Sequence, residues 1–328
     1  MIVPYLRQDL EVFRGNSRED GSPAWLLYDA IRNKYFTLGL TAFKLIKNWS
    51  GGEDIKNFEK KINSSGIETS EDEIKSFISF LHQNNLIVQP SGQNVSYLLQ
   101  QKNSMKKSWL LYLIHSYLFF KIPLFKPDNW LSKTLKYVKY FGSKQFRNIT
   151  YFFGFVGLFL VAQQFETFKS TFLYFFSFQG LMLYFLTLVF VKCLHELGHA
   201  YIAKHYGCRV SAIGIAFLVF FPFLYTDTTD AWRLRNHKER LLINFGGILT
   251  ELHLALFATF IWGILPEGGF KSVAFFIATT SWISSLTINV SPFMRFDGYY
   301  VFSDWLKAEN LQPRSFALAR WKIRETLF

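Results

Sequence analysis

Four stretches of this 328-residue chain carry no Asp, Glu, Lys or Arg: 18 residues between Arg147 and Glu166, 22 between Lys169 and Lys192, 17 between Arg209 and Asp227, and 23 between Lys271 and Arg295. A helix of about 20 apolar residues crosses a hydrocarbon core roughly 30 Å thick. Buried helices of a soluble enzyme would keep a polar face, whereas these runs are apolar all round. The second half therefore reads as a multi-pass α-helical membrane protein. Composition points the same way. With 38 Phe, 16 Tyr and 9 Trp beside a net charge of +12, the chain is too apolar for a disordered segment or a nucleic-acid binder, and no nucleic-acid partner is expected.

The first hundred residues differ in kind, with 14 basic and 12 acidic residues up to Lys107 and no apolar run of spanning length. Met1 to Leu10 is interrupted by Arg7 and Asp9 and does not read as a signal peptide. Trp25–Asp29 and Tyr35–Leu38, separated by Ile31-Arg32-Asn33-Lys34, predict a hairpin. Helices are expected over Thr41–Trp49, stopped by Gly51-Gly52, over Ile55–Ile62, and after a capping box at Ser70-Glu71-Asp72-Glu73, with Ile74, Phe77, Ile78 and Leu81 as the apolar stripe. Leu86–Val88, a Ser91-Gly92 turn and Val95–Leu99 predict a closing hairpin, giving a small α/β winged-helix layout. The Tyr35-Phe36-Thr37-Leu38-Gly39 stretch, the Gly51-Gly52 stop and the third helix running into Asn85-Leu86-Ile87 resemble a PqqD-like peptide-recognition domain. That resemblance implies binding of the leader peptide of a ribosomally made, modified peptide; a generic winged-helix scaffold is the alternative. DNA binding fits poorly with a third helix that carries Glu71, Asp72 and Glu73.

Between Trp109 and Asn148, seven of eight charged residues are basic: Lys121, Lys126, Lys133, Lys136, Lys139, Lys144 and Arg147, against Asp128. By the positive-inside rule this band places the N-terminal domain in the cytosol of a protein of the cell membrane. Trp109–Phe125 is expected to lie on the anionic inner leaflet of the lipid bilayer, with a short buried hairpin as the competing reading. The expected organisation is a soluble domain over residues 1–100, a basic juxtamembrane segment over 101–148, a membrane core over 149–300 and a cytosolic amphipathic tail over 301–328. Cys193 and Cys208 are assigned no role beyond packing.

The second run leads into His195-Glu196-Leu197-Gly198-His199, an H-E-x-x-H pattern. On a helix, His195 and His199 share a face and can reach one Zn²⁺, with Glu196 beside them as general base. Ionisable residues at the end of a spanning helix are costly and functional by default. A catalytic site needs a third ligand. His205 stands ten residues after His195, but the glycine that would reverse the chain is replaced by Ile202, and on a continuing helix His205 lies about 240° around from His199. Parity of the spans instead returns Asp297 to the side of the bilayer that holds the histidines, and a carboxylate is a competent zinc ligand. An ordinary turn at Asp297-Gly298 is the plainer reading of that pair alone. Glu251 and His253, inside an apolar run, must face the bundle interior or a wet cavity, and helix-packing hydrogen bonds account for them without a catalytic role.

His195-Glu196-Leu197-Gly198-His199, together with Asn289, Pro292, Asp297 and Gly298, resembles the site-2 protease family of intramembrane zinc metallopeptidases. The resemblance implies a core of membrane helices, His195, His199 and Asp297 as zinc ligands, Glu196 as base, and Asn289 and Pro292 at the substrate. It implies a bacterial branch tied to peptide maturation and export, on Asp227-Thr228-Thr229-Asp230-Ala231-Trp232-Arg233, Arg295-Phe296-Asp297-Gly298-Tyr299-Tyr300 and Asn310-Leu311-Gln312-Pro313-Arg314. The expected activity is zinc-dependent cleavage of a membrane-associated or exported peptide or of a membrane protein, with exporter components as possible partners. Members of that branch often continue with further membrane helices, so the chain reads as a short or truncated member. Val210–Tyr225, with Gly214 and Pro222, is expected as a re-entrant loop or edge strand that could pair with an unwound substrate, or as a helix kinked at Pro222. The alternative from another class is a non-proteolytic membrane peptide-binding or export accessory protein with a structural zinc site. A membrane di-iron hydroxylase would need several histidine boxes, and only one stands out.

Overall fold

The computed structural model describes residues 2–15, 23–64, 66, 69–88, 119–173, 176–218, 221–234, 236–283, 287, 289–294, 296–306, 308 and 311–327. They form two compact units, Met1–Phe119 with Trp232–Asn236, and Phe120–Ala231 with His237–Phe328.

In the first unit, β1 (Leu10–Arg14), β2 (Trp25–Asp29) and β3 (Lys34–Leu38) make an antiparallel sheet in that order. The β2–β3 turn uses Asn33 at φ 50°, a left-handed conformation that asparagine tolerates because its short side chain bonds locally. Helices α1 (Leu40–Lys47), α2 (Ile55–Ser64) and α3 (Glu71–Gln83) follow. The capping box that opens α3 is complete: the Glu73 amide donates to the Ser70 hydroxyl at 3.3 Å and the Ser70 amide to Glu73 Oε2 at 3.4 Å. Ile74 and Ile78 pack with Leu45, Ile55, Phe58 and Ile62, while Leu81 joins Leu27, Leu38 and Leu86. Strand β1 was not legible in the sequence. The expected closing turn and Val95–Leu99 lie outside the described residues. Ile87 instead bridges Leu6 near the N-terminus.

One buried charge organises this unit. Asp29 is fully buried, 3.0 Å from Arg7 Nη2 and 2.5 Å from Arg32 Nε. Burial opposes its ionisation, but hydrogen bonds and charge from Arg7 and Arg32 outweigh it and hold the carboxyl below its ordinary pKa.

The second unit begins with β4 (Phe119–Phe125) and α4 (Asp128–Val138). Then come α5 (Lys144–Gln163), α6 (Phe165–Leu173), α7 (Phe178–His205), the strands β5 (Ile213–Leu218) and β6 (Phe221–Thr226), α8 (His237–Ile264), α9 (Gly269–Ile283), α10 (Asp297–Trp305) and α11 (Leu311–Leu327). Three of these, α5, α7 and α8, are long and apolar enough to cross a membrane. Phe152 and Phe155 of α5 and Phe185 and Leu186 of α7 stand exposed, an arrangement suited to lipid and costly in water. Inside, α8 packs against α5, α7, α9 and α10, around Trp262, Ala274, Phe275 and Phe276.

Two apolar stretches form strands and not helices. The run between Arg209 and Asp227 is a β-hairpin, with Ile213 paired to Thr226 and Leu218 to Phe221, so it is not a spanning segment and not a kinked helix. The described end of Trp109–Phe125 is strand β4, which adds to that hairpin in the order β4-β5-β6; residues 109–118 lie outside the described residues. The two outer strands carry Pro123 and Pro222 while the central strand has none, as expected when a missing N–H is tolerated only at an edge. Helix α9, at 15 residues, extends only about 22 Å.

Candidate metal centre

Helix α7 buries Thr187, Val191, His195, His199 and Ala203, a single stripe at a spacing of four. The H-E-x-x-H residues therefore fall on the face turned to the bundle. The helix ends at His205 and the chain reverses through Gly207 at φ +76°, the left-handed geometry glycine supplies beyond a helix end. His205 stacks near Tyr206, ring centroids 5.1 Å apart.

Helix α8 runs antiparallel alongside and meets this stripe with its own at the same spacing: Ile243, Gly247 and Glu251. The Ile243 carbonyl lies 2.8 Å from His199 Nδ1, and Glu251 Oε1 lies 3.0 Å from His195 Nδ1, though at an angle short of a regular hydrogen bond. Since a carbonyl can only accept, His199 carries its proton on Nδ1 and leaves the Nε2 lone pair free for a metal. Between them, a Cβ placed on Gly247 would collide with both rings. Glycine there is what lets the two imidazoles sit against α8. A second close approach, Gly198 against Gly246, brings the helix backbones together beside the site.

The remaining ligand candidate opens α10. Asp297 is its first residue, and Asp297 Oδ2 lies 2.8 Å from His195 Nε2 and 3.2 Å from His199 Nε2. The two Nε2 atoms are 3.1 Å apart. Tetrahedral zinc with ligands near 2.0–2.1 Å separates its donors by about 3.3 Å, so the triangle fits such an ion with small adjustment. Among the described residues these three are the group whose ligand atoms converge. Gly298 is required next: a Cβ there would stand 2.5 Å from the Asn289 and Val290 backbone.

Glu196 is outside the converging triad and half-buried. Its own carbonyl accepts from the Thr226 hydroxyl at 3.0 Å, tying the end of β6 to the motif helix. Asn289 is buried and donates from Nδ2 to Glu251 Oε2 at 2.9 Å, while Pro292 is exposed in the α9–α10 connection. Sequence reasoning left Glu251 out of the site. Its signal was present as a carboxylate four residues after Gly247 inside an apolar run; what the sequence could not show was that His195 faces it.

Residues 182–292 match the model of Peptidase family M50, a family of membrane metallopeptidases that includes the site-2 proteases. The match takes in His195, Glu196, His199, Asn289 and Pro292 and stops short of Asp297. The chain is also 25% identical, over 118 residues, to a Bacillus subtilis (strain 168) protein named "Putative peptide zinc metalloprotease protein YydH". The aligned part is 36% of this chain and 45% of that protein, so the chain spans less than half of the relative it matches. No solved structure is matched. The second unit thus brings together three helices long and apolar enough to cross a membrane, converging His-His-Asp donors and a region similar to Peptidase family M50.

Proposed function

We propose that this protein is a zinc-dependent intramembrane endopeptidase of the cell membrane, acting on a membrane-associated or exported peptide within a maturation or export system. The observation that carries the reading is the convergence of His195 Nε2, His199 Nε2 and Asp297 Oδ2 within 3.2 Å, with Glu196 outside the triad on the same helix. In this reading α5, α7 and α8 cross the bilayer and the basic band before α5 keeps the N-terminal unit in the cytosol.

His195, His199 and Asp297 would hold the ion. When bound, zinc supplies polarisation of the scissile carbonyl and lowers the pKa of a water to about 7. Glu196 takes a proton from the attacking water and returns it to the leaving amine as the C–N bond breaks. Edge strand β6, tied to Glu196 through Thr226, offers backbone donors and acceptors to an unwound substrate, and the resemblance gives Asn289 and Pro292 a role at the substrate. The N-terminal unit would bind peptide and deliver it; its three-stranded sheet and its resemblance to PqqD-like domains support that role.

A global comparison of new N-termini tests the reading without a known substrate. Cells expressing the wild type should show peptide ends in or beside membrane segments that are missing with Glu196→Gln. Identical sets from the two strains would contradict it and favour a non-proteolytic accessory protein.

A further inference from the structure

We infer that Glu251 is a positioning residue of the metal centre, orienting His195 from the far side of the ring and tying the α9–α10 connection to that imidazole through Asn289. The inference rests on the zinc reading and adds to it a residue that touches neither metal nor substrate.

Glu251 is fully buried in the middle of α8, where an uncompensated carboxylate would cost several kcal/mol. Its oxygens are divided between helix α7 and the α9–α10 connection. Oε1 lies 2.7 Å from Lys192 Nζ and 3.0 Å from His195 Nδ1, and Oε2 accepts from Asn289 Nδ2 at 2.9 Å. Lys192 and His195 stand three apart on α7 and so approach the same oxygen from one helix face. The ammonium balances the charge of the carboxylate at this depth, and the carboxylate faces His195 Nδ1, the ring nitrogen on the side away from Asp297. The lone pair of His195 Nε2 is thereby turned to the point where Asp297 and His199 meet. A carboxylate behind a ligating imidazole both sets the tautomer and raises ligand basicity.

The same side chain solves a second problem. Asp297 comes from α10, whose approach depends on the connection that contains Asn289. By holding Asn289, Glu251 links the histidine half of the site on α7 to the segment that carries the aspartate. His199 has no such link, since its Nδ1 rests on the Ile243 carbonyl within α8. The two histidines are thus unequal: one is held by a backbone group, the other by a charge shared with the substrate-side loop.

The test uses the full chain in detergent, loaded with zinc or cobalt alone. Glu251→Ala and Glu251→Gln are compared with wild type for zinc affinity by chelator competition, for the visible spectrum of bound cobalt, and for hydrogen exchange across residues 287–296. Expected for Glu251→Ala is a 10–100-fold loss of zinc affinity, an altered cobalt spectrum and faster exchange in the 287–296 segment. Glu251→Gln, which keeps an acceptor for Nδ1–H and a similar shape, should recover part of the affinity. Wild-type affinity and spectrum in both variants, with helical content intact, would overturn the inference. If Glu251→Ala fails to fold, the Gln variant decides: an unchanged affinity and spectrum there overturns it as well. A wild type that binds neither metal would instead remove the zinc reading on which the inference stands, a result distinct from equal binding by wild type and variants.

Discussion

The most demanding position in the candidate centre is one with no side chain. Gly247 lets α8 lie against both imidazoles, and each ring is faced from behind, His199 by the Ile243 carbonyl and His195 by Glu251. The rings cannot step aside without losing those contacts. Gly247→Ala is therefore expected to lower zinc affinity at least tenfold while leaving helical content unchanged, read by chelator competition and circular dichroism; wild-type affinity in that variant would show that the rings are free to move. In the other unit the decisive residue is Asp29. Breaking a buried ion pair costs about 3 kcal/mol or more, so Asp29→Asn should destabilise the N-terminal unit by an amount of that order at pH 7. Because the folded pKa of Asp29 lies below its unfolded value, its contribution is complete above the unfolded pKa of about 4 and is lost as pH falls through the folded one. The deficit of the Asn variant should shrink on acidification, measured by the protease-susceptibility midpoint in urea at pH 7 and below pH 4. At this scale spacing and parity singled out His195, His199 and Asp297, whose ligand atoms converge in the structure, and Glu196 on the same helix. The sequence hid Glu251 and Gly247, because their importance lies in which helix faces them.

At the scale of elements, the placement of Asp297 depends on how α10 is anchored. Two turns beyond Asp297, Asp304 accepts from Arg240 Nη2 at 2.6 Å and Nε at 2.9 Å, and its other oxygen accepts from Asn244 at 2.7 Å. Both members of the ion pair are largely buried, with 8% and 11% of their side chains exposed. With both guanidinium nitrogens on one oxygen and Asn244 on the other, the carboxylate is fixed in orientation as well as distance, so it sets the angle at which α10 delivers its first residue. Asp304→Asn should weaken zinc binding several-fold without touching a ligand, and Arg240→Lys, which keeps the charge and loses the fork, should weaken it as well. Zinc titration by chelator competition checks both, and unchanged affinity in the two variants would show that the loop alone places Asp297. The helices here were legible from periodicity and caps: Ser70 and Glu73 announced α3, the uncharged runs announced α5 and α7, and α8 showed as an apolar run interrupted by Glu251. The hairpin β5–β6 was legible only as one of two alternatives, because an uncharged run of 17 residues has the same composition whether it spans a bilayer or pairs as two strands; Gly214 and Pro222 favoured the strand reading that the structure shows. Strand β1 escaped notice because Leu10–Arg14 mixes Leu, Val and Phe with Glu and Arg and reads as no clean alternation.

For the whole molecule, the account assigns two tasks to two units: peptide binding to the N-terminal sheet and helices, and hydrolysis to the helical bundle. If delivery matters, removing residues 1–100 should sharply reduce cleavage of a native substrate while leaving zinc content at the wild-type level; full cleavage without that segment would reduce the first unit to a tether. The bundle itself makes a claim that needs no substrate. Three donors from two separate elements, α7 and α10, should bind one metal, and the base should be dispensable for binding it. Elemental analysis of the detergent-purified wild type, Asp297→Ala, His205→Ala and Glu196→Gln tests this most directly. The account predicts close to one zinc per chain in the wild type, the His205 variant and the Glu196 variant, and far less in the Asp297 variant. Zinc retained by Asp297→Ala but lost from His205→Ala, or a zinc-free wild type, would contradict it.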